Sequence, residues 1–141
     1  MEEIILEDKQ AMIFLNNLGS STFDPFWILV SEKWFWIPLY VIFLYFLYKN
    51  FNKKSLFYIL LFVALGITAS DQIANIFKFG FERLRPCHDP SLEGLLREVK
   101  CGGKFGFYSA HSSNSFFVAT YLTMLLGKKI KQLPYFLFIW A

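Results

Sequence analysis

The sequence predicts an all-α integral membrane bundle: three full membrane-crossing helices, a fourth cut short, and an N-terminal helix lying in the interface. Two observations carry this expectation. Of 141 residues, 55% are hydrophobic and only 18% charged, against about 45–50% apolar and about 25% charged in an ordinary soluble domain. The charges also fall in blocks, and between them run apolar stretches near the roughly 20 residues that a helix needs to cross a bilayer. Such a composition excludes intrinsic disorder, which needs low hydrophobicity and high charge. With 8 Gly and 2 Cys, it also excludes a collagen-like or disulfide-dense scaffold. The length fits a single domain spanning residues 1–141.

The first 30 residues interleave Ile4, Ile5, Leu6, Met12, Ile13, Phe14 and Leu15 with acids. No basic stretch precedes an apolar core, so a signal peptide is not expected. An amphipathic surface helix turning between Gly19 and Pro25 is the better reading. Trp34–Phe51 is the first candidate span, with Trp34 and Trp36 at one end, Tyr45 and Tyr48 at the other, and Lys33 and Lys49 placed to snorkel. Pro38 falls near its first turn, where proline is tolerated. Ser55–Phe77 is the second span, interrupted by Asp71 and Gln72, and Phe105–Gly127 the third. Leu133–Ala141, at about 1.5 Å per residue, reaches only about half way across. The chain is therefore expected to be a fragment.

Lys49, Lys53 and Lys54, and likewise Lys128, Lys129 and Lys131, form short basic loops, and lysine-rich short loops mark the cytoplasmic side. The loop from Lys78 to Lys104 would then face outward, with the acidic N-terminus. Cys87 and Cys101 both lie in that loop, and on an oxidising side they are expected to pair. Between them, Asp89-Pro90 reads as a helix N-cap followed by proline at the first helical position. Leu92, Leu95, Leu96 and Val99 then repeat at helical spacing up to Gly102-Gly103.

Two segments concentrate functional groups. In Lys78–Pro86, a helical course would put Lys78 and Arg85 on one face, offering a point charge and a planar fork, both suited to phosphate. Pro86 would end that helix and fix how Arg85 is presented. The bland alternative is a pair of residues snorkelling at a helix end. In Phe107–Ser115, Ser109 and His111 open a helix whose free N–H groups and dipole favour anions, and His111 exchanges protons near neutral pH. The bland alternative here is interfacial polar filler.

Taken together, Lys78-x6-Arg85-Pro86 and then Ser109-x-His111 resemble the type 2 phosphatidic acid phosphatase/haloperoxidase superfamily, over roughly residues 34–141. The first motif is matched in full. The second, Pro-Ser-Gly-His in the family, has Tyr108 for Pro and Ala110 for Gly. The third, Ser-Arg-x5-His-x3-Asp, is absent. The resemblance implies a membrane lipid-phosphate phosphatase acting on a phosphomonoester or pyrophosphate, through a phosphohistidine and without metal or other cofactor. Lys78, Arg85, Ser109 and the Ala110 N–H would bind phosphate oxygens, and His111 would protonate the leaving alcohol. The nucleophilic His belongs to the absent motif, so these 141 residues alone are expected not to turn over. Expected partners are a lipid phosphate and the bilayer, with no nucleic acid; the site would sit at the outer face of a multi-pass cell-membrane protein.

Among other polar residues, Asp71 is costly in lipid and forms a stripe with Asn75 and Lys78; a support for Lys78 and a purely structural role are equally open. His88 reads as a solvated loop residue, and Arg83 and Lys104 as added positive potential. Two rival readings stand beside the enzyme: a non-catalytic protein binding anionic lipid, and a transporter fragment with Asp71 and Lys78 as a coupling pair.

Overall fold

In the computed structural model, which describes residues 2–106 and 108–141, the architecture is all-α. The helices are α1 (Glu2–Asn17), α2 (Asp24–Ser31), α3 (Ile37–Asn50), α4 (Lys53–Phe81), α5 (Ala110–Leu126) and α6 (Leu133–Trp140). Among the described residues no strand forms; Leu84 and Phe105 make an isolated antiparallel bridge.

Helix starts follow local chemistry. The Asn52 side chain caps α4 by accepting from the Ser55 N–H at 2.8 Å, and Ser109 caps α5 by accepting from Ser112 N–H at 3.2 Å. Such caps satisfy N–H groups that have no partner inside the helix. Trp34 does not begin a helix as the hydropathy pattern predicts. Residues Lys33–Trp36 form a 3₁₀ turn after an extended Glu32, and α-helix begins at Ile37. The third apolar run likewise becomes helical only at Ala110. Of the described helices, only the 29-residue α4 is by itself long and apolar enough to cross a membrane. Ser21–Ser31 and Lys33–Asn50 reach that standard only when joined across Glu32.

The end of α4 differs from the sequence expectation in a way that matters for the site. The helix stops at Phe81, not at Pro86, because Glu82 adopts a left-handed conformation (φ 47°) and its N–H closes on the Lys78 carbonyl at 3.0 Å. Arg85 is then extended (ψ 152°), so Lys78 and Arg85 do not share a helical face.

The chain forms two compact units: one takes residues up to Leu39 with Arg83–Gly106, the other Tyr40–Glu82 with the described residues that follow Gly106. In the second unit α5 packs on both α4 and α6, around Ala74, Ala119, Leu122, Leu126 and Leu137, all almost wholly buried. Trp140 of α6 lies edge-on to Tyr40 and Phe43 of α3, at 6.3 and 5.8 Å. Lys129 donates to the Asn50 carbonyl at 3.2 Å and sits 4.9 Å from the Phe51 ring centre. This contact holds the two short basic loops at the same end of the unit.

In the first unit, the acidic N-terminal stretch pairs with the basic loop. Asp8 meets Arg83, Lys9 meets Asp89 at 2.9 Å, Asp24 meets Arg97 at 2.6 Å, and Glu32 meets Lys100 at 2.7 Å. Asn16 adds a clamp, accepting from the Arg97 N–H at 2.7 Å and donating to its carbonyl at 3.3 Å. The helix expected over Leu92–Val99 does not form. Asp89 does cap, accepting from Ser91 N–H at 3.0 Å, but helical structure ends with the single 3₁₀ turn Pro90–Leu92. Gly94 then takes φ +74°, which interrupts a right-handed helix. Leu92 alone of the four apolar residues becomes core, while Leu95 and Val99 stay exposed.

Candidate functional site

In the second unit, the C-terminal half of α4 is fastened to the start of α5 by polar contacts one residue apart. Ser70 and Ser113 share a hydrogen bond of 2.8 Å, and Asn114 Nδ2 donates to Asp71 Oδ1 at 2.9 Å. Asp71 and Asn114 are both half-buried, where an unmatched polar group costs free energy. Two turns further along α4, the Phe77 ring meets Tyr108 edge-on at 5.7 Å. Lys78 follows Phe77 and Ser109 follows Tyr108, so both lie at the same end of the α4/α5 pair. Lys78 is half-buried; Ser109 and His111 are exposed.

The chemistry of that end follows from helix geometry. The N–H groups of Ala110 and His111, in the first turn of α5, have no carbonyl four residues earlier within the helix to bind. The Ser109 oxygen already accepts from Ser112, which leaves its hydroxyl proton free to donate. First-turn N–H groups, the helix dipole and a lysine at the same end of the helix pair are the kinds of group that suit an oxyanion. Phe107, at the head of the motif segment, lies outside the described residues. Asn75 is exposed.

Arg85 and Pro86 belong to the first unit. The Arg85 N–H donates to the Lys104 carbonyl at 3.0 Å, Gly106 N–H donates to Arg83 at 2.8 Å, and Arg85 Nε donates to Phe105 at 3.1 Å. Pro86 opens a 3₁₀ turn, Pro86–His88, that returns the chain toward the 101–102 segment. Cys87 and Cys101 are joined by a disulfide with Cα atoms 6.0 Å apart. His88 is not simply solvated: its Nε2 donates to the Gly102 carbonyl at 3.1 Å. Cys87, His88 and Cys101 present metal-ligand types within 4.8 Å of one another, but bonded sulfurs are not the thiolates that bind metals. Arg85 borders a cleft of about 410 Å³ together with Arg97 and Lys100. The expected positive potential is partly cancelled, since Arg83 is paired with Asp8, while Lys104 rests 5.4 Å from the Phe105 ring centre.

Sequence reasoning treated Ser113 and Asn114 as helix-start filler. Their signal was present: both Ser70-Asp71 and Ser113-Asn114 lie in polar stretches of helices that are otherwise largely apolar.

The sequence model of the PAP2 superfamily matches residues 59–141. Among curated proteins, the chain is 36% identical over 138 residues to the lipid A 4'-phosphatase of Bacteroides thetaiotaomicron, covering 95% of this chain and 60% of that protein. It is 34% identical over 133 residues to the lipid A 4'-phosphatase of Porphyromonas gingivalis, covering 92% of this chain and 56% of that protein. The chain thus spans a little over half the length of these relatives. No solved structure matches.

Proposed function

Because the chain belongs to the PAP2 superfamily, we propose that it forms the phosphate-binding part of a membrane lipid phosphatase, a phosphoric ester hydrolase whose substrate is a lipid A phosphomonoester. The observation that carries this reading is the fastened end of the α4/α5 pair: the Phe77 ring meets Tyr108 at 5.7 Å, and Lys78 and Ser109 are the residues that follow these two. The names of the two relatives support the choice of lipid.

In this reading the substrate phosphate takes hydrogen bonds from Lys78, Arg85, the Ser109 hydroxyl and the Ala110 N–H. These donors hold the charge that builds on the phosphoryl oxygens in the transition state. His111, on the exposed first turn, protonates the departing sugar oxygen as the phosphorus–oxygen bond breaks. Asp71 supports Lys78 through the α4–α5 contact, and Pro86 fixes the presentation of Arg85. The attacking nucleophile is a histidine that becomes phosphohistidine and is then freed by water. The family's third motif supplies it; the two histidines of these 141 residues are His88 and His111. The route needs no metal.

The bilayer reading rests on α4. Only 6% of its most apolar 18-residue window is buried by the rest of the protein, so lipid is the natural cover for it. We place α3, α4 and α5 as spans of one phosphatase domain, residues 1–141, with α6 as part of a fourth. Lys129 beside Asn50 supports putting both basic loops on the cytoplasmic side, with residues 81–104 and the site on the outer face.

The test is phosphate release from lipid A in detergent micelles by the gene's full product. His111→Ala is expected to lower kcat by about 10²–10⁴-fold, as loss of a general acid does, and Arg85→Ala to harm both kcat and KM. Turnover that survives His111→Ala would overturn the assignment. Impermeant-reagent labelling at residues 53 and 129, but not within 81–104, would overturn the orientation.

A further inference from the structure

Resting on the proposed role of Arg85, we infer that Gly102 is a positioning residue: the Cys87–Cys101 disulfide and His88 press its bare α-carbon against the Arg85 guanidinium and set the direction in which that guanidinium presents its donors.

Arg85 is held from several sides. Its own N–H is bound by Lys104, and its Nε is used by the Phe105 carbonyl at 3.1 Å. The donors left for a ligand are therefore those on Nη1 and Nη2. A methyl group built on Gly106 would lie 3.0 Å from Arg85 Cγ, and one on Gly102 would overlap Nη1 and lie 3.0 Å from Cζ. The stem and the head of this side chain thus each run against a glycine.

Gly102 is held in that place by its neighbours. Cys101 is bonded to Cys87, two residues after Arg85, and the Gly102 carbonyl accepts from His88 Nε2 at 3.1 Å. The turn that begins at Arg85 is closed back onto Arg85 itself. A free arginine side chain carries about 2 kcal/mol of rotamer entropy. Fixing it before ligand arrives removes much of that cost from binding and keeps the fork aimed.

The need at Gly102 is for space rather than for an unusual backbone, since Gly94 is the glycine with positive φ. Gly102→Ala should therefore fold, and its methyl should displace the flexible end of Arg85. Gly103 is the internal control, because a methyl there meets nothing within 4 Å.

The experiment measures kcat/KM of the full gene product on lipid A micelles for Gly102→Ala, Gly106→Ala, Gly103→Ala, Arg85→Ala and the double variant Gly102→Ala/Arg85→Ala. Non-reduced peptide mapping checks the disulfide in each. Gly102→Ala should lose about 10–100-fold, the range expected for one misplaced charged donor. Gly106→Ala should lose less, and Gly103→Ala should stay within about twofold. Adding Gly102→Ala to Arg85→Ala should cost nothing more, because the glycine acts only through the arginine. If Gly102→Ala matches Gly103→Ala, or still lowers the rate with Arg85 absent, the positioning role is refuted while the phosphatase reading stands. If Arg85→Ala has no effect, it is the phosphate-binding role of Arg85 that fails. Should Gly102→Ala lose the disulfide, His88→Ala, which frees the Gly102 carbonyl and keeps both cysteines, takes its place: a loss that disappears in the His88→Ala/Arg85→Ala double variant supports the role, and no loss, or one that persists without Arg85, refutes it.

Discussion

The Asp71–Asn114 contact offers the most direct measure of how the candidate site is held. The bond is of ordinary length, 2.9 Å, and joins two half-buried groups on separate helices. Cross-helix hydrogen bonds in bilayers average about 0.6 kcal/mol and reach about 1.7, and bonds to a charged partner in protein interiors are worth about 1.5–3 kcal/mol. Asp71→Ala does more than delete one bond. Asn114 Oδ1 already has no partner among the described residues, so the variant leaves the whole amide unmatched. Asn114→Ala leaves the Asp71 carboxyl half-buried without its donor. Each single variant should therefore cost about 2 kcal/mol and the double variant only about 2.5, a coupling of about 1.5 kcal/mol. Ser113→Ala, which breaks the adjacent Ser70 contact, gives the scale for a neutral pair, about 0.6 kcal/mol. Equilibrium unfolding of the detergent-solubilised protein supplies the four corners of the cycle. Lipid A kinetics on the same variants should show KM rising with loss of the pair, since Lys78 lies two turns along α4. Additive costs, with coupling under about 0.5 kcal/mol, would refute the idea that this contact fastens the site.

Other outcomes follow from particular residues. Glu82 holds a left-handed conformation (φ 47°) at the end of α4, so Glu82→Gly should stabilise the protein by about 0.5–1 kcal/mol, read as a raised thermal midpoint. Gly66→Ala should destabilise by about 1–3 kcal/mol through overpacking, because its methyl would run into the Phe117 ring; Phe117→Leu in the same chain should recover much of the loss. The hydrogen bond from Lys9, followed by those from Ser91, lowers the Asp89 pKa from 3.8 to about 2. A depressed carboxylate stabilises the fold above its unfolded pKa and loses that contribution as pH falls through the folded value. The tie of α1 to the loop should hold at pH 5 and weaken between pH 4 and 2, and Asp89→Asn should abolish that dependence, both visible as amide exchange along α1.

Helices were legible from one dimension because their signals are local. The apolar runs, the cap at Asp89 and the basic loops at Lys49–Lys54 and Lys128–Lys131 each depend on residues a few positions apart. The two motifs that led to the family were legible for the same reason. Where two local signals competed, sequence reasoning erred. Helical spacing of Leu92, Leu95, Leu96 and Val99 implied a helix, yet Gly94 at φ +74° stops it. Pro86 looked like the end of α4, yet Glu82 ends it four residues earlier, and the 83–85 segment pairs with 104–106 instead. That pairing spans some twenty residues, and no local preference encodes it.

By itself, the sequence determined that this is an apolar, helical chain with phosphate-binding residue types at family spacing, because hydropathy, capping and motif spacing act within a few turns. Only the tertiary structure decided which residues stand against these groups. Asn114 became the partner of Asp71, acids from the N-terminal stretch took Arg83, Arg97 and Lys100, and Gly102 came to rest against Arg85. Each of these depends on chain segments far apart in sequence meeting at hydrogen-bonding or van der Waals distance, and that proximity exists only once the backbone has folded.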